Sequence, residues 1–238
     1  MFTLLRKIRS SLIESGSTKK YLFYAIGEIL LVMIGILLAM QVNNWNNQRL
    51  ERIQKQAYLV SLKKDSKVDL DGLYQLMKRA ENYVSKFDSL SLQLSEKLTK
   101  EKLDLIGIQR QTYFLKDDTY REIIANGHLK LLPDSVKSIL LDLNSLFKLT
   151  NKIDSESARQ LNTQHLKMAD YYELKRLNRT SEYKVTIGEN TDPLEAILVY
   201  RNYINVCYDW MKTQLYFYGL LRKKHQELLI SIENEDIL

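Results

Sequence analysis

The chain has 238 residues, of which 45% are hydrophobic and 27% are charged, so its composition excludes an intrinsically disordered protein. Eight Gly and two Pro are few for this length, which argues against sandwiches, barrels and dinucleotide-binding folds that need many turns and glycine-rich loops. The single Cys excludes a disulfide framework, and the net charge of +6 includes +4 from residues 1–20, so it does not indicate nucleic-acid binding.

A basic segment, residues 1–20, comes first in the chain. Its apolar residues fall near helical spacing, which suits a short helix lying on the anionic inner leaflet of a membrane. A charged, disordered segment is an equally good interpretation, and the sequence leaves that choice open. In both cases we expect the basic side chains to be membrane-surface anchors. These side chains are Arg6, Lys7, Arg9, Lys19 and Lys20.

Residues 21–42 form the most apolar stretch of the chain, YLFYAIGEILLVMIGILLAMQV. As a helix these 22 residues extend about 33 Å, enough to cross a hydrocarbon core of about 30 Å. A cleaved signal peptide is the main alternative, but its apolar region is normally shorter and ends in a small-x-small site. This stretch carries Glu28 and ends in Ala39-Met40-Gln41. We therefore predict an uncleaved transmembrane helix.

The charges on either side of this helix predict its orientation. Five basic residues precede it, whereas the first basic residue after it is Arg49. The positive-inside rule then places residues 1–20 in the cytoplasm and residues 43–238 in the periplasm of a bacterial inner membrane. Trp45 suits the headgroup region and is a further membrane-surface anchor. A cytoplasmic tail of about 20 residues has no room for an output domain.

Glu28 is the most unusual residue of the predicted span, because an ionised carboxylate near the middle of a bilayer costs at least ~2.5 kcal/mol. At 100° per residue, Glu28, Gly35 and Ala39 fall on one face of the helix. Gly35 and Ala39 form a small-xxx-small pair that permits close helix contact. We predict that this face contacts a second helix. The alternative is a protonated Glu28 that bonds to its own helix or to a lipid headgroup.

The residues around this span resemble a known family. The block Tyr24 to Asn46, YAIGEILLVMIGILLAMQVNNWN, is similar to the opening of a family of uncharacterised single-pass proteins from Bacteroidota, with an IGEI-x-LV-x-IGI-x-x-A-x-Q-x-NNWN block. Met40 stands where that family usually has Leu. The segment Thr119 to Leu132, TYREIIANGHLKLL, is similar to the family's T-x-x-E-[ILM]-x-x-x-G-x-L-x-L-[IL] segment. The resemblance implies an inner-membrane protein with a periplasmic helical domain, and it carries no known activity.

After the span, residues 48–99 contain no Pro and one Gly, and their apolar residues repeat at intervals of three and four, as in a coiled coil. One such stripe is Leu70, Leu73, Met77, Ala80, Val84 and Phe87, and upstream Leu50, Ile53, Ala57 and Val60 keep the same spacing. This spacing predicts one long helix. For residues 48–56 a solvated polar linker is the alternative to a continuation of the transmembrane helix.

The rest of the chain predicts further amphipathic helices and one loop. Short helices are predicted over 102–117 and 119–126, with Gly127 as a C-cap. Long helices are predicted from Pro133-Asp134 to Leu174 and from Asp192-Pro193 onwards, with a loop over 179–191 that has a strand-like alternation at 183–187. The predicted fold is all-α: an N-terminal transmembrane helix followed by an elongated antiparallel helical bundle that resembles a coiled coil.

The sequence contains no motif of a known chemistry, such as a phosphate-binding loop, H-E-x-x-H or G-x-S-x-G, so we predict no enzymatic activity, no cofactor and no metal. His128, His165 and His225 are far apart in the chain, and we expect structural or surface roles for them. Cys207 lies on the apolar stripe of the last helix, which predicts a buried, unreactive thiol.

Aromatic residues are dense on the last predicted helix and occupy more than one of its faces. Those that project outside the core would form a surface for a partner or a second copy. An equally good interpretation is that a thin bundle uses Tyr as an amphipathic filler. The residues proposed for the partner surface are Tyr203, Tyr208, Trp210 and Tyr216.

These patterns together predict a non-enzymatic, membrane-anchored helical protein that self-associates or docks onto an envelope complex. Its expected partners are membrane lipid and either further copies of itself or another envelope protein, with no nucleic acid. The alternative is a periplasmic ligand-sensing domain that signals through its transmembrane helix. Because the cytoplasmic tail is short, such a sensor would need a separate cytoplasmic partner.

Overall fold

The computed structural model describes residues 18–91, 113–176, 183–188 and 191–236. Most of these residues are in four helices, α1 (Thr18–Ser91), α2 (Asp118–Ala125), α3 (Asp134–Ala169) and α4 (Pro193–Asp236). A 3₁₀ helix (His128–Leu131) lies between α2 and α3. Two short strands, β1 (Tyr172–Arg176) and β2 (Tyr183–Ile187), lie between α3 and α4. The predicted all-α fold class is confirmed, with a small hairpin added to it.

The chain divides into two compact units, Met1–Gln56 and Ala57–Leu238. The described part of the first unit is helix α1 from residue 18 to residue 56, and nearly all of its described side chains are exposed. Among the described residues, this is the one helix that is long and apolar enough to cross a membrane. Residues 48–56 are helical and continue α1, and most of them are exposed.

In the second unit, residues 57–91 of α1 pack with α3 and α4 in a three-helix bundle. In one core cluster, the start of this α1 segment and the start of α3 pack against the end of α4. In another, the end of the α1 segment and the end of α3 pack against the start of α4. Helix α4 therefore runs antiparallel to the other two, as predicted. The first cluster includes Leu59, Val136 and Leu228, and the other includes Phe87, Met168 and Ile204.

The apolar stripe of α4 from Ile197 to Ile232 predicts its core positions, and most of these positions are buried. The stripe repeats at intervals of three and four, so it keeps one face of the helix towards α1 and α3. Its buried members are Tyr200, Ile204, Cys207, Met211, Tyr218, Leu221, His225, Leu228 and Ile232. On α1, Leu73, Ala80 and Phe87 are buried in the same way. The Leu70–Phe87 stripe therefore packs inside its own bundle.

The upstream half of the predicted α1 stripe is not part of this core. Leu50, Ile53 and Val60 are exposed, with 56%, 57% and 62% of their surface accessible. The buried face instead passes through Leu59 and Leu62. The apolar spacing therefore predicts the wrong buried face for this part of α1. The true buried face continues from Leu62 to Leu73 through two polar positions, which interrupt its apolar pattern.

The segment Tyr113–Asp117, which we call the strap, precedes α2 and is not helical. The predicted helix over 102–117 is therefore wrong for residues 113–117, and its other residues lie outside the described ranges. Tyr113 is buried, Phe114 is exposed and Leu115 is partly buried, which is the alternation of an extended chain. Tertiary contacts of these side chains outweigh the helical propensity of the segment.

The predicted end of α2 is confirmed, whereas the predicted end of α3 is wrong. Helix α2 ends as predicted, with Gly127 at φ +66° in the left-handed region where glycine carries no Cβ penalty. Helix α3 ends at Ala169 and not near Leu174, because the next residues form β1. Strand β1 pairs antiparallel with β2, from Tyr172↔Ile187 to Arg176↔Tyr183. The strand-like alternation predicted at 183–187 is thus a true strand.

Candidate functional site

The predicted contact face of the apolar helix is present in the structure as an exposed surface. Glu28, Gly35 and Ala39 are all exposed on α1. Among the described residues, a Cβ atom added to Gly35 would meet nothing within 4 Å beyond its own stretch of helix. This face is therefore sterically open to a second helix, and nothing within the described residues covers it.

The predicted membrane-surface anchors are described in part. Lys19 and Lys20 lie in the first turn of α1, and Lys19 is exposed. Trp45 is also exposed, with 60% of its surface accessible. Arg6, Lys7 and Arg9 lie outside the described residues.

The predicted aromatic partner surface is corrected by the bundle. Tyr203 and Trp210 are buried, with 5% and 4% of their surfaces accessible, so they belong to the core. Tyr208 is half-buried, and its hydroxyl donates to Asp88 Oδ1 at 2.7 Å. Tyr216 is 64% exposed. Two of the four aromatics are therefore core residues, because α4 is surrounded by α1 and α3 over more of its circumference than a single stripe predicts.

A buried polar cluster lies at the middle of the bundle. The imidazole of His225 on α4 is 1% exposed, and its Nε2 lies 3.7 Å from Oδ2 of Asp69 on α1. The hydroxyl of Tyr113 lies 3.3 Å from the same Nε2. Ser66 Oγ lies 3.3 Å from the other ring nitrogen, Nδ1. The backbone N–H of Lys116 donates to Asp69 Oδ1 at 3.0 Å, so the cluster ties the strap to α1 and α4.

Burial sets the ionisation of this cluster. It raises the pKa of Asp69 to about 6, although hydrogen bonds from the Lys116 amide and the Tyr113 hydroxyl act in the opposite direction. Burial also lowers the pKa of His225 to about 4 and raises the pKa of Tyr113. At neutral pH the cluster therefore holds one carboxylate, a neutral imidazole and a neutral phenol.

The pocket beside the cluster is small. It encloses about 20 Å³, which is room for about one water molecule and too little for a metabolite. Asp69 and His225 line it together with the half-buried residues Asp65 and Asp117. Thr119, at the start of α2, donates to Asp65 Oδ2 at 2.5 Å. A space of this size can hold a water molecule beside the carboxylate and the imidazole.

A second buried polar group lies further along the bundle. Gln214 on α4 donates from Nε2 to Asp154 Oδ1 at 3.3 Å and to the hydroxyl of Tyr218 at 3.1 Å. Gln214 and Asp154 are both buried. The charge of Asp154 contributes to raising the pKa of Tyr218, although burial is the larger cause. The group fixes the facing positions of α3 and α4, because buried polar atoms need their partners.

The other histidines and the cysteine have structural surroundings. His128 Nδ1 lies 2.8 Å from the hydroxyl of Tyr58, and His165 is exposed. The prediction that Cys207 is buried is confirmed, and burial raises the pKa of its thiol to about 12. The described residues contain no group of three or more His, Cys, Asp and Glu placed to hold a metal ion.

Sequence reasoning missed most of the central cluster, although a signal was present. Leu59, Leu62 and Leu73 keep an interval of three and four only if Ser66 and Asp69 are included. A polar residue that keeps the phase of an apolar stripe is a candidate buried group. Tyr113 carried no such signal, because its position depends on the strap.

The structure defines the class of the protein: a helical chain with a candidate membrane-spanning helix and a bundle with a buried polar cluster. The model of a family of unknown function, DUF6090, matches residues 28–147, about half of the chain, and the chain belongs to this family. The matched region starts at Glu28 and includes Asp69 and the strap, but not His225. No curated protein and no solved structure matches the chain.

Proposed function

We propose that this chain is a non-enzymatic protein, anchored in a bacterial inner membrane by residues 21–42, whose helical domain associates with a second copy or docks onto an envelope complex. The observation that carries this proposal is the exposure of the apolar side chains of α1. Leu31, for example, is 73% exposed and Leu38 is 61% exposed. A contiguous apolar surface of this length is stable in lipid or against a partner, and unstable in water.

The proposed orientation has residues 43–238 in the periplasm. It is supported by the five basic residues before the span, compared with none between residues 43 and 48. Fusion of alkaline phosphatase, which is active only outside the cytoplasm, after residue 238 should give an active reporter. A fluorescent reporter that matures only in the cytoplasm should stay dark in the same place. The opposite pair of results would overturn the orientation.

The absence of catalysis is proposed from the chemistry of the cluster. Its carboxylate is hydrogen-bonded to the chain's own Lys116 amide and faces the chain's own imidazole, in a pocket the size of a water molecule. A catalytic acid and base must reach a substrate atom. Asp69 and His225 are at most 4% exposed, so they are better placed to hold the bundle together.

Self-association is proposed through the face of Glu28, Gly35 and Ala39. In this arrangement the carboxyl meets a partner and not lipid, and the small residues let two backbones approach. Because the Leu70–Phe87 stripe is buried in its own bundle, it is not available to extend this contact. The proposed contact is therefore made within the span.

The contact can be tested by placing single cysteines along residues 28–39 of the full chain and crosslinking in native membranes. Cys207 is buried, so its background crosslinking should be small. Crosslinking yields should rise and fall with helical periodicity and peak on the face of Gly35. Yields without periodicity would overturn the proposed contact.

Two leucine substitutions provide a matched comparison. Gly35→Leu should reduce crosslinking about fivefold or more by blocking close approach. Gly27→Leu is the control, because Gly27 lies about 100° away from Glu28 around the helix. At both positions an added Cβ meets no described atom within 4 Å beyond its own stretch of helix, so a selective effect of Gly35→Leu would indicate a partner. Equal effects would contradict the assigned face.

A further inference from the structure

The strap is held in place by side chains and not by helical or sheet hydrogen bonding. Its Lys116 N–H donates to the carboxylate of Asp69, and its Tyr113 ring packs against Tyr218 in the core. The Tyr113 hydroxyl also reaches His225. The strap therefore depends on one acid and one base, which it meets from two different helices.

Asp69 and His225 form a buried acid–base pair within the cluster. They lie 3.7 Å apart and are 4% and 1% exposed. Ionising both groups would bury two charges whose 3.7 Å separation is too long for a direct hydrogen bond, so their attraction does not repay the lost hydration. The neutral acid beside the neutral base is therefore the favoured protonation state when the pair holds one proton.

The other ionisable groups around the pair do not replace either partner. The Lys116 ammonium is exposed and forms an ion pair with Asp118 at 2.5 Å. The half-buried acids and the neighbouring phenols add no positive charge. These groups are Asp65 on α1, Asp117 on the strap, Tyr120 on α2 and Tyr218 on α4. Helix α3 contributes Leu140, Leu143 and Asn144, none of which titrates.

We propose that Asp69 and His225 act as one protonation unit. The unit binds a single proton at mildly acidic pH both when the bundle is folded and when it is unfolded, so the stability of the bundle and its strap changes little with pH. In the unfolded chain the proton sits on the histidine. In the folded bundle it sits on the buried carboxyl, which faces Nε2 of the neutral imidazole. The proton count is nearly the same in both states, so this pair adds little slope of stability with pH.

The signs of the two contributions follow from the direction of each change. The folded pKa of Asp69 is raised from 3.8 to about 6, so its contribution is complete below pH 3.8 and is lost as pH rises through 6. The folded pKa of His225 is lowered from 6.5 to about 4, so its contribution is complete above pH 6.5 and is lost as pH falls towards 4. The two slopes oppose each other over the same interval.

The proposal is tested by unfolding the full chain with denaturant in detergent micelles at pH 5 and pH 7.5. Trp210 is buried in the bundle, and its fluorescence reports the transition. Each variant is compared with the wild type at the same pH, so that the other titrating groups cancel.

Removing one member of the pair should reveal how the other member changes the folding stability with pH. For Asp69→Asn, the folding equilibrium constant relative to wild type should fall about tenfold between pH 7.5 and pH 5. For His225→Gln, the same ratio should rise about thirtyfold. Slopes of the same sign, or two ratios that do not change with pH, would overturn the proposal.

Matched controls and a second measurement protect the test from misfolded variants. Asp71→Asn changes an exposed acid on the same helix, and His165→Gln changes an exposed histidine on α3. Neither should reproduce the slopes of the pair. Nitrogen-15 NMR of the wild type should show a neutral His225 imidazole at pH 5. A protonated ring at that pH would overturn the proposal without any variant.

Discussion

Helix α1 contains two stretches with similar hydrophobic spacing and opposite environments. Leu50 is 56% exposed, whereas Leu73 is fully buried between the strap and α4. The difference is that Leu73 has neighbouring helices of its own chain, while the described residues around Leu50 provide none. Hydrophobic spacing therefore indicates that a helix face is apolar, but it does not indicate which surface packs against that face.

The largest expected effect on stability comes from truncating one of the two leucines to alanine. Leu73→Ala should cost about 3 kcal/mol of the free energy of unfolding, because it leaves a cavity between packed helices. Leu50→Ala should change it by less than about 0.5 kcal/mol in detergent micelles. The measurement is denaturant unfolding followed by Trp210 fluorescence. A cost at Leu50 comparable to that at Leu73 would show that residue 50 is packed against a partner even in the micelle.

A second comparison sharpens the contrast between buried and exposed amides. Gln214→Ala should cost about 2 kcal/mol, because it removes the donor to Asp154 and Tyr218 inside the bundle. Gln41→Ala lies on the exposed part of α1 and should leave unfolding of the bundle unchanged. The same unfolding curves measure both effects. If Gln214→Ala is neutral, the hydrogen bonds of this group do not stabilise the bundle.

The smallest expected effects concern two glycines of the second unit. Gly127→Ala should cost about 1 kcal/mol, because φ is +66° at this position. Gly72→Ala should instead stabilise the bundle by about 0.5–1 kcal/mol, since it lies within α1 and an added Cβ meets no described atom within 4 Å beyond its own stretch of helix. Thermal unfolding of both variants gives opposite shifts in Tm if this account is right. Shifts of the same sign would contradict it.

Long regular patterns made most of the helices predictable. The α4 stripe keeps one phase from Tyr200 to Ile232, and its breadth outweighs single polar exceptions such as His225. Pro133 and Asp192 preceded helices as expected, and Asp192 Oδ1 accepts from the Leu194 N–H at 2.9 Å. Local chemistry decides such boundaries, so a sequence can specify them.

The candidate site was much less predictable, because its members come from separate parts of the chain. Tyr113 and His225 are 112 residues apart, and their contact depends on the path of the strap across the bundle. The aromatic residues of α4 were equally ambiguous, since Tyr203 and Tyr216 lie on the same predicted helix and have opposite burial. Burial of an amphipathic aromatic depends on which neighbours reach it.

The sequence by itself determined the apolar helix, its flanking charges, the helical class of the bundle and the phase of its longest stripe, because each follows from short-range spacing along the chain. Tertiary structure alone decided that Asp69 and His225 meet, that the strap is extended and that Trp210 is a core residue. The physical reason is that side-chain ionisation and burial depend on atoms brought within a few ångströms by the fold, whatever their separation in the chain.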